Sequence, residues 1–167
     1  MDGPRQLDEK KMQNSAIPSL SNSTLTKLPS GVKIPNYDRN NLTAGIVHIG
    51  LGNFHRAHQS WYLHRLMQQG QAHDWAIIGA GVKEFDKAQR LKLQAQDFLT
   101  TLLELSPVGR RVEVVGSMID YVPIEADNGA LIAQMAKPEI KIVTLTVTEG
   151  GYYIDPVSKS FDPNHPD

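Results

Sequence analysis

The sequence predicts an α/β fold in which helices cover a mostly parallel, doubly wound sheet. Short apolar runs rich in β-branched residues, which are typical of buried strands, alternate with helical patterns along the chain. The first of these runs, at residues 44–49, ends in glycines and leads directly into a helical pattern. The length of 167 residues is that of one domain with a core of ordinary size.

The composition excludes several classes of protein and of site. The chain has no cysteine, so disulfides, thiolate metal ligands and cysteine nucleophiles are all excluded. A formal net charge of −1 gives no electrostatic attraction to nucleic acids or anionic membranes, and we expect neither as a partner. The first residues lack the apolar core of a secretory signal, and no later apolar run is long enough to span a bilayer. A cytoplasmic location is therefore expected.

Residues 1–34 are predicted to be a flexible, disordered leader, and residues 35–167 a single folded domain. The leader is rich in Ser, Asn, Gln, Lys and Pro, with only scattered leucines. Such a composition does not bury enough apolar area to offset an ordering entropy of ~1–2 kcal/mol per residue. Residues 35–43 contain many turn-forming residues and are predicted to be a lead-in loop before the first strand.

The remaining elements follow from hydrophobic periodicity and turn signals. An apolar stripe at helical spacing predicts a helix over 54–69, which ends at Gly70. Further along, the patterns predict a strand over 74–80, a helix near 84–96, strands over 98–105 and 111–115, a helix over 127–135 and a strand over 140–148.

The segment around Gly50 and Gly52 predicts where the phosphates of a dinucleotide bind. Gly50 permits a tight turn, and the missing side chain of Gly52 lets backbone N–H groups approach a pyrophosphate. The helix that follows directs its positive dipole end at the same anion. In the GxGxxG pattern the third glycine position holds His55, so the fingerprint is incomplete, and a plain turn is the alternative interpretation.

Glu84 and Asp86, just beyond the second apolar strand, are candidates for the carboxylate that binds the adenosine ribose. A carboxylate there accepts hydrogen bonds from the ribose hydroxyls and repels the additional phosphate of NADP. The alternative is a pair of solvated carboxylates beside Lys83 and Lys87, which could instead bind the 2′-phosphate of NADP. Because strand ends read from a sequence are uncertain by a few residues, the pattern does not decide between the two carboxylates.

Arg56, Glu149 and the histidines are the other candidates. Arg56 lies in the first turn of a helix, where a cation opposes the dipole; a phosphate partner would account for it, and a surface ion pair is the alternative. Glu149 follows a hydrophobic strand and precedes two glycines, so it is either a group that faces substrate or nicotinamide, or a turn residue. The four histidines between residues 48 and 64 do not favour a metal site, because no third ligand is placed nearby.

Three segments together resemble a known family: GLGNFHRAHQ at 50–59, DWAIIGAGV at 74–82 and TLTVTEGGYY at 144–153. Over residues 35–155 the chain is similar to the amino-terminal half of the mannitol dehydrogenase family. The resemblance implies a Rossmann-like domain that binds NAD, with NADP left open. It also implies an oxidoreductase that oxidises a sugar alcohol to a ketose, or reduces a keto-uronate, by hydride transfer without a catalytic metal.

The resemblance further implies roles for individual residues. It assigns the ribose contact to Glu84 or Asp86 and places Glu149 in the lining of the active site. The nucleotide-binding segment that it implies consists of Ile46, Val47, His48, Ile49, Gly50, Leu51, Gly52, Asn53, Phe54, His55, Arg56 and Ala57.

Members of the family are much longer than this chain, and their catalytic lysine, asparagines and histidine belong to a carboxyl-terminal domain that has no counterpart here. The expectation is therefore a truncated chain that holds the cofactor-binding half and is inactive alone, with a polyol or keto-sugar bound only if the missing domain is supplied. The alternatives are a noncatalytic nucleotide-binding or protein-interaction module and a methyltransferase. The latter generally has an acidic residue before its glycines, where this chain has Val47 and His48.

Overall fold

The computed structural model describes residues 19–147, 149–155 and 157–164. Within these ranges the strands are β1 (Val32–Lys33), β2 (Ala44–Ile49), β3 (Ala76–Ala80), β4 (Thr100–Ser106), β5 (Gly109–Val115), β6 (Met118–Tyr121) and β7 (Ile142–Leu145). The α-helices are α1 (Asn53–Ala57), α2 (Gln59–Met67), α3 (Asp86–Gln94) and α4 (Gly129–Met135). Short 3₁₀ turns cover Asn22–Lys27, Arg39–Asn41 and Glu149–Tyr152.

Four of the strands form a parallel sheet in the order β6-β3-β2-β7. The chain moves from β2 to β3 to β6 in one direction and then returns across the sheet to β7, on the other side of β2. The strand order therefore reverses between β2 and β7, and in open α/β sheets this is where the carboxyl ends of the strands leave a crevice for a ligand. The parallel α/β architecture predicted from the sequence is confirmed.

Helices cover both faces of this sheet, so the sheet is doubly wound. Ile46 of β2 packs in one hydrophobic core with Met67 of α2, whereas Val47, the next residue, packs in a second core with Leu131 of α4. Consecutive side chains of a strand point to opposite faces, which separates the two cores. Each such side chain contributes about 1.5–3 kcal/mol by its burial, so the β-branched strands hold the switch point rigidly between two packed layers.

Strands β4 and β5 form an antiparallel hairpin that belongs to a separate sheet, in the order β1-β5-β4. The hairpin agrees with the strands predicted over 98–105 and 111–115, but its separation from the main sheet does not follow from the sequence pattern. Strand β6 also falls in a segment for which the pattern predicts no strand. The main sheet therefore gains its third parallel strand only after the hairpin has been completed.

Ordered contacts of the domain begin before residue 35. Strand β1 pairs in parallel with β5, and the backbone N–H of Asn22 donates to the carboxylate of Asp97 at 2.8 Å. These contacts contradict the prediction of a leader for residues 22–33, because pairing with a distant strand holds a segment whose own composition is polar. The first 18 residues of the predicted leader lie outside the described residues.

The helix predicted after the glycines forms as two helices, α1 and α2, which meet at His58 (φ −120°, ψ −84°). At this break the imidazole N–H of His58 donates to the carbonyl of Phe54 at 2.9 Å. Helix α2 ends at Met67, and Gly70, the predicted terminating residue, follows shortly after it with a φ of +76°. The N–H of Gln71 donates back to the carbonyl of Leu66 at 3.1 Å, which closes the helix in a Schellman arrangement.

Candidate functional site

A cleft of about 610 Å³ opens at the carboxyl ends of the parallel strands, where the strand order reverses. It is bounded by the segment that follows β2, the loop and helix that follow β3, and the ends of β6 and β7. Its lining consists of Ile49, Gly50, Leu51, Gly52, Asn53, Arg56, Val82, Phe85, Asp86, Ala88, Gln89, Lys92, Tyr121 and Thr146. The glycines, the arginine and one of the two carboxylates singled out from the sequence therefore meet in one place.

Gly50 turns the chain out of β2 in a conformation that side chains rarely adopt. Its φ is +93°, and a Cβ at this position would lie 2.9 Å from the carbonyl oxygen of Thr146. The N–H of Gly50 donates to the carbonyl of Ala80 at 3.1 Å, and its own carbonyl accepts the N–H of Gly52 at 2.9 Å. Both the backbone conformation and the close approach of β7 thus require glycine at this turn.

Gly52 is a glycine that the fold itself does not require. Its φ of −70° and ψ of −178° are ordinary extended values that any residue adopts. A Cβ built at this position would meet no heavy atom within 4 Å, so an added side chain would enter the open space of the cleft. Neither the backbone conformation nor the packing requires a glycine at this position, just before α1. A ligand that approaches the backbone closely would require one, because any side chain would block it.

Arg56 presents a cation to the cleft. Its guanidinium donates to the carbonyl of Leu51 and to the side-chain oxygen of Asn53. Within the described ranges it forms no ion pair with a carboxylate, and partial burial lowers the pKa of the guanidinium. The surface ion pair is therefore not found among the described residues, and the phosphate partner of Arg56 stays a prediction.

The structure separates the two carboxylates beyond β3. Asp86 lines the cleft, and its Oδ2 atom accepts the backbone N–H groups of Val82 and Lys83 at 3.1 and 3.0 Å. Glu84 does not line the cleft; its side chain is 83% exposed and pairs with Lys87 at 2.8 Å. Asp86 is therefore fixed with one oxygen on the loop, while Glu84 fits the solvated alternative.

Two buried histidines lie directly behind the glycine turn. The rings of His48 on β2 and His55 on α1 stack with their centroids 3.7 Å apart and an interplanar angle of 13°. Both side chains are buried. His55 thus fills the place of the third glycine of the fingerprint with a ring that packs on the strand, and helix and strand contact each other through this stacked pair.

The buried imidazoles give a testable pH dependence of stability. Burial, followed by the nearby imidazole of His48, lowers the pKa of His55 to about 3, and burial also lowers the pKa values of His48 and His64. Each of these imidazoles takes up a proton less readily in the folded chain than in the unfolded chain, where histidine titrates near pH 6.5, so the free energy of unfolding should fall as the pH drops below 6.5. For His55, whose pKa is about 3, this fall approaches about 1.4 kcal/mol per pH unit.

Urea denaturation at pH 7.5, 6 and 5 measures this slope. We expect the H55N variant to have a shallower decline between pH 7.5 and 5, by about 2 kcal/mol over that interval. An unchanged slope in the variant would contradict the burial of a neutral imidazole at this position.

The other residues of the predicted nucleotide segment serve the fold or the outer surface. Ile46 and Val47 are buried in the two cores. Phe54 is 65% exposed, stacks on His58 and does not line the cleft, and Ala57 does not line it either. Glu149 begins a 3₁₀ turn after β7, but its side chain lies outside the described side chains.

The cleft also contains residues that sequence reasoning misses. Phe85 and Lys92 come from α3 and the loop before it, Tyr121 ends the unpredicted strand β6, and Thr146 follows β7. Thr146 carries a usable signal, because it lies at the carboxyl end of a predicted parallel strand. Tyr121 carries none, since its own strand is not apparent from the sequence pattern.

The described ranges contain neither a metal-binding cluster nor a membrane-spanning helix. Three or more histidine, aspartate or glutamate side chains do not come together there in a group able to hold a metal ion. The helices within the same ranges are too short or too polar to cross a bilayer.

Comparison with known proteins gives consistent matches. The sequence profile described as "Mannitol dehydrogenase Rossmann domain" matches residues 44–167. The mannitol 2-dehydrogenase of Cereibacter sphaeroides is 59% identical over 133 residues, which cover 80% of this chain and 28% of that protein. The mannitol 2-dehydrogenase of Pyricularia oryzae is 43% identical over 136 residues, which cover 81% and 27%.

Two solved structures have the same fold. The ternary complex of Pseudomonas fluorescens mannitol 2-dehydrogenase with NAD and D-mannitol matches with a TM-score of 0.77 and 44% identity, over 85% of this chain and 29% of that one. A substrate-free D-sorbitol dehydrogenase matches with a TM-score of 0.73 and 38% identity, over 86% and 30%. The chain thus spans less than a third of the length of the relatives it matches.

Proposed function

The chain belongs to the mannitol dehydrogenase family, and on that basis we propose that its Rossmann domain binds NAD in the cleft at the switch point between β2 and β7. The observation that carries the proposal is the combination of this cleft with Gly52, a glycine whose absent side chain leaves the backbone open to a ligand. The related structure that contains NAD and D-mannitol supports the choice of cofactor.

The residues of the cleft take distinct roles in this proposal. The diphosphate lies against the backbone of Gly50, Leu51 and Gly52, where no side chain blocks its approach. Arg56 pairs with a phosphate oxygen, which supplies the anion that its partly buried cation lacks. Asp86 accepts the ribose hydroxyls with the carboxylate oxygen that does not bind the loop, and its charge disfavours NADPH. Glu84 has no role in the site.

We further propose that the chain contributes to an oxidoreductase acting on sugar alcohols and the corresponding ketoses, or on keto-uronates. NAD, when bound, accepts the hydride from the carbinol carbon. The hydroxyl proton must at the same time pass to a base within hydrogen-bond reach. Within the described cleft Lys92 is the lysine present, and it lies on α3, the helix that begins at Asp86 on the side proposed for the ribose. We therefore propose that the 167 residues bind the cofactor but do not catalyse hydride transfer alone. A cytoplasmic location stays a prediction.

Fluorescence titration with NADH and NADPH tests the binding, and an absorbance assay with mannitol, sorbitol, arabinitol and fructose tests the turnover. We expect saturable NADH binding and no hydride transfer. Well-folded protein that binds neither coenzyme would overturn the cofactor site. Turnover of a polyol by the purified chain would leave the site intact and overturn the proposed inactivity.

A further inference from the structure

The buried imidazole pair is connected to the glycine turn by a chain of hydrogen bonds. His48 Nε2 lies 3.2 Å from the carbonyl oxygen of Gly50, and His48 Nδ1 lies 2.7 Å from the hydroxyl of Thr144 on β7. The side-chain amide of Gln59 donates to the same hydroxyl at 3.2 Å, and Gln59 Oε1 lies 3.0 Å from His55 Nδ1. Four side chains from β2, β7, α1 and α2 thus lead to one backbone carbonyl.

The direction of each bond depends on the tautomer of His48, because Nε2 lies near both the Gly50 carbonyl, which only accepts, and the Thr146 hydroxyl at 3.1 Å, which can donate or accept. The arrangement that holds the Gly50 carbonyl is the one in which His48 Nε2 carries the proton and donates to it. His48 Nδ1 must then accept, which fixes the Thr144 hydroxyl as its donor. The oxygen of that hydroxyl accepts the N–H of Gln59, whose own oxygen accepts Nδ1–H of His55. All four side chains are neutral in this arrangement.

In this series of hydrogen-bonded side chains, one ring nitrogen of His55 is left without a partner. His55 Nε2 is buried and has no hydrogen-bond partner in the described structure. An unpaired buried acceptor destabilises the folded state, because it has lost its hydrogen bonds to water. A ring retained at that cost, in place of a glycine, indicates that the stacked pair has a use beyond filling space.

The series of hydrogen bonds reaches the cleft at the Gly50 carbonyl. This carbonyl also accepts the N–H of Gly52, so two donors hold it on the inner side of the turn. In a trans peptide the N–H points opposite to the carbonyl, which directs the N–H of Leu51 away from His48 and toward the cleft. Within the described part of the chain, the Leu51 N–H has no acceptor.

We propose that His48, Thr144, Gln59 and His55 form a positioning relay, which orients the Gly50–Leu51 peptide so that the Leu51 N–H binds the diphosphate of the dinucleotide. The inference rests on the proposed function, since it requires a diphosphate in the cleft. The relay residues act through the backbone and do not touch the ligand themselves. The low pKa values of both imidazoles agree with a relay that stays neutral near pH 7.

Three variants and one matched control test the relay. The H48L substitution removes the donor to the Gly50 carbonyl. The H48Q substitution places a side-chain amide N–H at about the distance of His48 Nε2, so that a donor is kept. The isosteric T144V substitution removes the hydroxyl that orients His48. T101V makes the same change at an exposed threonine of β4, outside the cleft.

The readout is the affinity for ADP-ribose compared with that for adenosine, which lacks the diphosphate. We expect H48L to weaken ADP-ribose about tenfold to a hundredfold and to change adenosine by less than about twofold. H48Q should recover most of the loss, T144V should lie between them, and T101V should bind as the wild type does. Parallel losses for both ligands, or an unchanged ADP-ribose affinity in T144V, would overturn the proposal; T144V decides it if H48L does not fold.

A second measurement separates this inference from the cofactor site. NMR of ¹⁵N-labelled histidine reports which ring nitrogen of His48 carries the proton, with no ligand present. The relay requires the proton on Nε2, and a proton on Nδ1 would overturn it. Wild-type protein that binds no NADH would overturn the proposed function, while the tautomer would still decide how the peptide is held.

Discussion

Replacing Gly52 with valine is expected to abolish measurable NADH binding while changing the free energy of unfolding by no more than about 1 kcal/mol. The backbone of Gly52 is in an extended conformation that valine adopts without strain, and its Cβ would meet no neighbour. The added branched side chain would instead occupy the space in which the diphosphate approaches the backbone. A loss of at least a hundredfold in affinity is the expected size, because the ligand must then shift by the radius of a methyl group or more.

Gly31 offers a matched control for this substitution. It too has open space around the position of a Cβ and no left-handed φ, but it lies in the turn before β1 and does not line the cleft. G31V should therefore bind NADH within about twofold of the wild type. Fluorescence titration gives the affinities, and urea denaturation confirms that both variants are folded. Unimpaired NADH binding by folded G52V would place the diphosphate away from this turn.

The sequence predicts those parts of the fold that are set by local pattern. Strand β2, the glycine turn, the helices after it and β3 all lie where the apolar periodicity and the turn residues indicate, because each depends on neighbours close in the chain. The helix end at Gly70 is of the same kind, since a left-handed residue after an apolar stripe is a local signal.

The parts that the sequence does not predict depend on pairing between distant segments. Strand β6 is four residues long and includes Asp120, so it lacks the length and the apolar composition of a buried strand. It forms because β3 offers it a partner along the main sheet. Strand β1 is held in the same way by β5, which is why polar composition alone is misleading for residues 22–33.

The candidate site shows the same division between local and distant signals. Gly50, Gly52 and Arg56 are identified from one short motif, and the structure places all three in the cleft. The incomplete fingerprint at His55 is also visible in the sequence, but its explanation is not. The ring stacks on His48, seven positions earlier on a strand, and its hydrogen bonds continue to Thr144 on β7, a contact that only the folded sheet creates.

Replacing Asp86 with asparagine is expected to relax the discrimination against NADPH by about tenfold to a hundredfold. In the proposed site a 2′-phosphate would lie beside the Asp86 carboxylate, and like charges at short range repel by several kcal/mol at the effective dielectric of a protein surface. Asparagine removes the charge but keeps an oxygen that can accept the N–H groups of Val82 and Lys83, so the loop before α3 should keep its shape.

The E84Q variant tests whether the Glu84 carboxylate affects coenzyme selectivity in the way expected of Asp86. The Glu84 carboxylate is mostly exposed, pairs with Lys87 and lies outside the cleft lining, so water and a cation already screen it. The ratio of NADPH to NADH affinity, measured by fluorescence titration at fixed ionic strength, should therefore change by less than about twofold in E84Q. Equal changes in the two variants would show that net charge near the loop controls the selectivity. An unchanged ratio in D86N would remove Asp86 from the ribose site and leave it the role of holding the loop through the N–H groups of Val82 and Lys83.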